Sequence, residues 1–192
     1  MELYLLSCEN LLQHADEVLP RLPQGRQAAF LRSHSPLTLG AGLLLAEKLG
    51  VHADEDLYFG PQGKPHLSAG GPSFSLSHSG QHVLLGIDDG RIGVDLEKED
   101  RPAAEALRRR VCLPQERGVD FLIVYTRKEC AMKLTGLGFS LPLHEIDTTR
   151  DFVWDGQAYA FLTLRRWGYV ISVLSGKRAL PPLQLLTAEE LL

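Results

Sequence analysis

The apolar and polar positions of the chain alternate most regularly in the stretch Ile92-Gly-Val-Asp-Leu-Glu97. Successive side chains of a β-strand point to opposite faces of the sheet. The pattern therefore predicts a strand whose three apolar side chains face a core and whose other face carries Gly93, Asp95 and Glu97. Because Gly93 has no side chain, it would leave room for a ligand on that second face.

The stretch from Asp120 to Gly136 favours a helix, although its apolar first half taken alone reads equally well as a buried strand. Asp120 is a good N-cap, and glycine is the usual residue just past a helix end. Tyr125, Glu129 and Lys133 recur at four-residue spacing, so a helix stacks them along one stripe. Without further context, a glutamate and a lysine at this spacing form an ordinary solvated surface pair.

Hydrophobic runs and turn residues predict the remaining elements. A buried helix is expected over residues 36–49, because Ser35 and Pro36 form a strong start signal and Gly50 ends the apolar run. Helical structure is also expected over 20–34 and 101–118, and a capping box at Thr187 suggests a short final helix. Strands are predicted at 3–6, 57–59, 74–78, 82–87, 143–147, 151–154, 158–164 and 169–174.

Two stretches of the chain resemble each other and suggest a repeated unit. Residues 75–87 and 163–174 each contain a polar residue followed by leucine, a turn at Gly80 or Gly168, and an apolar strand. Each stretch follows a long apolar helix. We therefore predict an α+β fold with an N-terminal lobe (1–90) and a C-terminal lobe (91–192) related by pseudo-twofold symmetry, each a small antiparallel sheet packed on a long helix. Convergent strand patterning is the alternative explanation.

Composition narrows the class of protein. The chain has 192 residues and a net charge of −4, so it has no basic excess for general nucleic-acid binding. Its three cysteines are odd in number and widely spaced, which matches neither a disulfide framework nor a zinc site. The beginning lacks the basic region of a signal peptide, and no apolar run approaches the roughly 20 residues of a membrane span. We expect a cytoplasmic monomer with no membrane partner.

The acidic residues of the predicted strand and helix suggest a metal site. Asp95 and Glu97 lie about 7 Å apart on one strand face, so their charges repel unless a cation or a basic partner relieves them. A third carboxylate from Glu129 would complete an all-oxygen site, which suits Mg²⁺, with Mn²⁺ as an alternative. Taken alone, the two strand carboxylates could equally lie on a solvated edge strand.

Two further segments suit phosphate binding. Gly60-Pro-Gln-Gly-Lys-Pro65 is a tight turn that presents Lys64, and Ser75-Leu-Ser-His-Ser-Gly80 offers three hydroxyl groups and an imidazole near a turn. Each segment alone is usually no more than a loop or a turn.

In this order, however, four segments resemble the 4′-phosphopantetheinyl transferases, specifically the single-chain type with two lobes that primes carrier proteins. They are Gly63-Lys64-Pro65, Phe74-Ser-Leu-Ser-His-Ser-Gly80, Gly93-Val-Asp-Leu-Glu97 and Tyr125-Thr-Arg-Lys-Glu-Cys-Ala-Met-Lys133. The segment Gly136–Leu143 also matches the family. Each motif is weak by itself, but their order along the chain is specific.

The resemblance implies transfer of phosphopantetheine from coenzyme A to a serine of an acyl or peptidyl carrier protein, with release of 3′,5′-ADP. It assigns Mg²⁺ to Asp95, Glu97 and Glu129, with Glu129 also accepting the serine proton. Lys133 would stabilise the leaving phosphate of the pyrophosphate. The expected coenzyme contacts are Lys64, Pro65, Ser77, His78 and Lys133.

The sequence departs from the family at the site for the coenzyme A 3′-phosphate. The family usually has an aspartate and basic residues in the stretch that here reads Ser33-His-Ser-Pro-Leu-Thr38. We expect Arg26 and Arg32 to substitute for them. The rival interpretation is a degenerate relative that binds coenzyme A or a carrier without chemistry, although three mutually repelling carboxylates have no purpose in a retired site.

Overall fold

The computed structural model describes residues 1–102 and 105–192 of the chain. It is a mixed α+β fold, as predicted, and its described residues contain five α-helices. The helices are α1 (Ala15–Val18), α2 (Gln24–Ser33), α3 (Pro36–Leu49), α4 (Glu105–Val111) and α5 (Phe121–Thr135). None of the helices in these ranges is long and apolar enough to span a lipid bilayer.

The strands form two four-stranded sheets and one small hairpin. The first sheet has the order β10-β1-β5-β4, the second has the order β6-β9-β8-β7, and β2 pairs with β3. The strands are β1 (Glu2–Ser7), β2 (Leu57–Phe59), β3 (Pro65–Leu67), β4 (Ser73–Ser79), β5 (His82–Asp88), β6 (Ile92–Lys98), β7 (Phe152–Trp154), β8 (Gln157–Arg166), β9 (Tyr169–Ser175) and β10 (Leu183–Leu186).

The two sheets pack face to face, and a long helix covers the outer face of each one. Leu3 and Leu5 of β1 share a buried cluster with Val94 of β6 and Val173 of β9, which joins the sheets. The opposite face of β1 packs against α3 in a second cluster. Helix α5 covers the second sheet, with Cys130 buried among its residues. The layers therefore run helix, sheet, sheet, helix, and the edge strands β4 and β6 meet where the sheets adjoin.

The long helices begin and end as the sequence predicted. The Asp120 side chain accepts a hydrogen bond from the Leu122 amide at 2.8 Å and caps α5, and Gly136 ends that helix in the left-handed conformation. Gly50 ends α3 in the same way. These caps satisfy backbone groups that a helix leaves unpaired at its ends.

Several predicted elements are corrected by the structure. The strand expected at 143–147 is wrong, because Leu143–Glu145 forms a short 3-10 turn. The final helix is also wrong, since residues 188–191 form a bend and a turn, although the Thr187 amide does donate to Glu190 Oε2 at 2.8 Å. The helix expected over 101–118 is confirmed only for α4, and residues 103–104 lie outside the described residues.

The sequence analysis missed two strands, β3 and β10. Strand β10 pairs in parallel with β1, with Leu3 opposite Leu183, so the C-terminal part of the chain completes the first sheet. The first sheet is therefore not purely antiparallel. The boundary between residues 90 and 91 and the pseudo-twofold relation of two lobes stay predictions.

Candidate active site

A row of serines on β4 joins the edge of the first sheet to β6. The Ser75 hydroxyl accepts a hydrogen bond from the Val94 amide at 3.1 Å. Further along, Ser77 Oγ donates to Asp95 Oδ1 at 2.6 Å and Ser79 Oγ donates to Glu97 Oε2 at 3.0 Å. Alternate residues of a strand share one face, so the spacing of the serines aims all three hydroxyls at β6. The acidic strand is thereby fixed along the line where the sheets meet.

Asp95 lies at the centre of the site. The carboxylate is buried, and its Oδ1 accepts hydrogen bonds from Ser77 and from the Lys133 ammonium, each at 2.6 Å. Its Oδ2 is buried and has no hydrogen-bond partner among the described residues. A buried polar atom without a partner is costly, and such an atom marks a position where a ligand would be stabilised.

The second carboxylate of β6, Glu97, lies at the edge of the site. It is partly buried, accepts a hydrogen bond from Ser79, and forms an ion pair with Arg101. The Arg101 guanidinium also lies over the Tyr125 ring, 5.2 Å from its centroid. Arg101 and Lys133 therefore supply the positive charges that relieve repulsion within the acidic cluster.

Glu129 faces this cluster from helix α5. Burial, together with the charge of Asp95, raises the pKa of Glu129 above its ordinary value, while the nearby Lys133 ammonium opposes the shift. Burial and the charge of Glu129 also raise the pKa of the Tyr125 phenol. The stripe of Tyr125, Glu129 and Lys133 predicted from four-residue spacing is thus present, and it faces Asp95. A carboxylate with a raised pKa is better suited to accept a proton near neutral pH.

The prediction that Gly93 leaves room for a ligand is wrong. A Cβ atom at this position would lie 2.0 Å from the carbonyl oxygen of Cys130 and 2.8 Å from the amide nitrogen of Leu134. The backbone of α5 occupies the space instead. Gly93 therefore allows the helix to approach β6 closely, and this approach carries Glu129 and Lys133 to Asp95.

A cavity of about 290 Å³, here called the seam cavity, opens beside these residues. Its lining includes Lys64, Pro65, Glu129, Lys133 and the exposed ring of Phe139. Apolar walls with a few charged groups at one end are typical of ligand sites. The seam cavity thus brings four of the residues predicted from the sequence to one place.

Lys64 reaches this cavity from the loop between β2 and β3. Its ammonium donates to the carbonyl oxygens of Leu134 at 3.1 Å and Ile92 at 3.4 Å, near the end of α5. Burial, with a smaller contribution from the charge of Arg91, lowers the pKa of Lys64 to about 8. The structure therefore holds Lys64 against backbone carbonyls, at the edge of the cavity in which phosphate groups were expected.

The other predicted coenzyme contacts are not gathered at one point. Ser77 is buried and its hydroxyl is committed to Asp95, whereas His78 is exposed and points to the opposite face of β4. On α2, Arg26 is partly buried, and this burial lowers its pKa, while Arg32 is exposed. Six positions apart on a helix, the two arginines do not share a face. Their role at a 3′-phosphate stays a prediction, as do the roles of Ser77 and His78.

The predicted metal ligands do not form a ready-made cation site. Among residues 1–102 and 105–192, no three histidine, cysteine, aspartate or glutamate side chains lie close enough together to hold a metal ion. Instead, the Asp95 carboxylate forms an ion pair with Lys133, and the Glu97 carboxylate forms one with Arg101. The unpartnered Asp95 Oδ2 and the carboxylate oxygens nevertheless suit Mg²⁺ in their chemistry, provided that the two cationic side chains give up their positions and the three carboxylates move closer together.

The sequence analysis missed a buried ion pair on the other side of α5. The Lys128 ammonium lies 2.9 Å from Glu116 Oε2, and both side chains are 0% exposed. Lys128 also donates to the carbonyl oxygens of Val111 at 2.7 Å and Leu143 at 2.9 Å. The pair therefore ties α5 to the end of α4 and to the 141–148 loop. The only sign of this ion pair in the sequence was the position of Lys128 within an otherwise apolar helical stripe that includes Val124.

Comparison with known proteins identifies the class of this chain. The sequence profile of the 4′-phosphopantetheinyl transferase superfamily matches residues 91–180. The chain belongs to this superfamily, and the enzyme class predicted from its motifs is confirmed. The 4′-phosphopantetheinyl transferase AcpT of Salmonella typhimurium is 31% identical over 152 residues, which cover 71% of this chain and 73% of the relative. The protein of the same name from Salmonella typhi shows the same identity and coverage.

Proposed function

We propose that this protein transfers the 4′-phosphopantetheine group of coenzyme A to a serine of an apo acyl or peptidyl carrier protein and releases 3′,5′-ADP. The observation that carries the proposal is the buried Asp95 carboxylate, which has one unpartnered oxygen and lies beside Glu129 and Lys133, two residues that line the seam cavity. The membership of the superfamily gives this cluster its chemical context.

In the proposed reaction the serine oxygen attacks the phosphorus that bears pantetheine. A new oxygen–phosphorus bond forms, the bond to the bridging pyrophosphate oxygen breaks, and 3′,5′-ADP leaves with the electron pair. Glu129 accepts the serine proton, directly or through water. Its raised pKa supports this role, because a base of ordinary glutamate strength would accept a proton less readily.

Asp95, Glu97 and Glu129 are the residues that would hold Mg²⁺, which when bound neutralises pyrophosphate charge and aligns the phosphorus. Ser77 and Ser79 orient Asp95 and Glu97 by hydrogen bonds. Residues that hydrogen-bond to a metal-binding side chain often matter nearly as much for metal binding as that side chain itself.

Lys133 has two positions in this scheme. In the structure its ammonium neutralises Asp95 at 2.6 Å. When the coenzyme is bound, we propose that Lys133 turns from Asp95 to the pyrophosphate and stabilises the charge that develops on the leaving group. An ammonium group that already lies at the site gains this interaction with little reorganisation.

The remaining coenzyme contacts follow from the seam cavity. Pro65 lines it directly, and Lys64 needs only to leave the carbonyls of α5 to reach a phosphate. Arg26 and Arg32 of α2 and His78 of β4 are proposed to contact the 3′-phosphate end of the coenzyme. The two lobes, 1–90 and 91–192, would then each contribute part of the site.

The direct test is product analysis. The protein is incubated with coenzyme A and an apo carrier in the presence of Mg²⁺, Mn²⁺ or a chelator, and 3′,5′-ADP is measured by chromatography. We expect equal amounts of 3′,5′-ADP and modified carrier, both abolished by the chelator. Release of 3′,5′-ADP without carrier modification would contradict the proposal and indicate a hydrolase. Undiminished transfer in the chelator would contradict the role given to the carboxylates.

A further inference from the structure

A second cavity lies on the other side of Glu129. Its volume is about 490 Å³, and it runs between α4 and the loop 137–144. We call it the acceptor groove. Its walls are largely apolar, with Leu107 and Val111 on the α4 side and Leu141 on the loop side. Glu129 and Phe139 line both the acceptor groove and the seam cavity, so the two cavities meet at these side chains.

We propose that the acceptor groove binds the segment of the carrier protein that bears the acceptor serine, with Phe139 as an apolar anchor and Arg110 as a contact for carboxylates. This inference rests on the proposed function and names the surface for its second substrate. The required partner segment presents an apolar side chain and acidic residues near the serine.

The geometry of phosphoryl transfer supports this assignment. The attacking and leaving oxygens lie roughly in line on opposite sides of the phosphorus. If the seam cavity, with Lys64 and Lys133, holds the coenzyme, the serine must approach Glu129 from another side. The acceptor groove provides such an approach, and Glu129 at its inner end is placed to receive the serine proton.

The exposed surface of the groove is suited to a protein partner. Phe139 is 92% exposed, which is unusual for a phenylalanine and places a large apolar ring on the surface. Arg110 lies in the groove wall and places a positive charge there, although the chain has a net charge of −4. Aromatic and arginine side chains at the centre of an interface often dominate its binding energy.

The three consecutive arginines of α4 have different surroundings. Arg110 lines the acceptor groove, whereas Arg109 forms an ion pair with Glu105 at 3.4 Å and lies outside the groove. Arg108 lies over the Phe121 ring, 5.1 Å from its centroid. Loss of either Arg109 or Arg110 removes the same charge from the same helix. Comparison of the two variants therefore separates a local contact from general attraction.

The ion pair of Lys128 and Glu116 explains how the groove keeps its shape. Lys128 binds the carbonyl oxygens of Val111 and Leu143, and both of these residues line the groove, on its two opposite walls. A single buried ammonium thus joins α4, α5 and the loop. The groove is a preformed surface, which lowers the entropy lost on binding.

The experiment compares steady-state transfer by the wild type with four variants, Phe139→Ala, Arg110→Ala, Arg109→Ala and Val153→Ala. Val153 is an exposed apolar residue that lines neither cavity, so it is the control for Phe139. Coenzyme A affinity is measured separately by calorimetry. We expect Phe139→Ala to raise the carrier KM about tenfold, the scale of an interface anchor. Because the ring also lines the seam cavity, its loss should weaken coenzyme A affinity as well, but by less than it raises the carrier KM.

For Arg110→Ala we expect a severalfold rise in the carrier KM that shrinks at high salt, whereas Arg109→Ala should change it much less. A carrier KM unchanged by both Phe139→Ala and Arg110→Ala would overturn the inference. An equal effect of Arg109→Ala and Arg110→Ala would also overturn it, because only general charge would then matter. A loss of coenzyme A affinity in Phe139→Ala that equals or exceeds the rise in the carrier KM would also overturn it, because the ring would then serve mainly the seam cavity. Failure of the wild type to modify any carrier would refute the proposed function itself.

Discussion

The replacement of Lys128 by methionine tests the buried ion pair beside the site. Methionine fills a similar volume but removes the ammonium, which leaves the fully buried Glu116 carboxylate without its cation. Three hydrogen bonds to Glu116 remain, from the Leu113 amide at 2.7 Å and from the Thr148 amide and hydroxyl at 2.8 and 2.7 Å. The carbonyls of Val111 and Leu143 lose their donor.

The expected loss of stability is large for one substitution. Removal of one partner from a buried ion pair typically costs about 3–5 kcal/mol. For a domain of this length each kcal/mol lowers Tm by about 2–4 °C, so the melting temperature should fall by roughly 6–20 °C. The double variant Lys128→Met with Glu116→Gln should be less destabilised than the sum of the single changes, by about 0.5–3 kcal/mol, since no unpaired charge stays buried.

The assay is urea unfolding followed by circular dichroism, with Arg178→Met as the control. The ion pair of Arg178 with Asp151 is exposed, so its loss should change the free energy of unfolding by less than about 1 kcal/mol. Below its unfolding temperature, Lys128→Met should also raise the carrier KM more than it weakens coenzyme A binding. A loss of stability below about 1 kcal/mol for Lys128→Met would refute the reasoning about the buried pair.

The pH dependence of stability gives a second measure of the same pair. Burial alone would raise the pKa of Glu116, but the hydrogen bonds from Lys128, Leu113 and Thr148 outweigh it and lower the pKa below the ordinary value of 4.5. A carboxyl group with a lowered folded pKa stabilises the protein above its unfolded pKa and loses that contribution as the pH falls. The stability difference between the wild type and Lys128→Met should therefore shrink as the pH drops below 4.5.

Three further predictions concern the site itself. Glu129→Gln should lower kcat by about 10²-fold or more while coenzyme A affinity falls only modestly, and a near-normal kcat would remove Glu129 as the base. Coenzyme A affinity should weaken as the pH rises through the Lys64 pKa of about 8, because the ammonium loses its charge. Calorimetry of Lys64→Gln should lack this loss of affinity around pH 8. Gly93→Ala places a methyl group 2.0 Å from the carbonyl oxygen of Cys130 and should reduce both stability and activity. Gly90→Ala is the control, because a methyl group there meets no atom within 4 Å and should change neither property. A fully active Gly93→Ala would contradict the packing argument.

The sequence was most informative where local periodicity and turn chemistry decide the structure. The alternation of residues 92–97 placed Val94 in the core and Asp95 toward the site, and the structure agrees. The caps at Asp120 and Gly136 fixed the bounds of α5 and hence the stripe that carries Glu129. These signals depend on neighbours within a few residues, so a single sequence contains them.

The features that were missed depend on contacts between distant parts of the chain. The pairing of β10 with β1 joins Leu183 to Leu3, and no local pattern could report it. The partner of Lys128 is Glu116, and although Lys128 lies within an otherwise apolar helical stripe, no residue near it in the sequence indicates that partner. Gly93 was misread for a related reason, since a missing side chain admits a ligand or a helix equally well, and only the packed structure shows α5 against it.

The central claim is that the carboxylates at the seam catalyse transfer of phosphopantetheine to a carrier. Its most direct test is the intact mass of an apo carrier after incubation with coenzyme A, Mg²⁺ and either the wild type or Asp95→Asn. We predict that the wild type adds the mass of one phosphopantetheine group to the carrier, and that Asp95→Asn binds coenzyme A but leaves the carrier mass unchanged. A carrier that keeps its apo mass with the folded wild type, or one that Asp95→Asn modifies at the wild-type rate, would contradict the account.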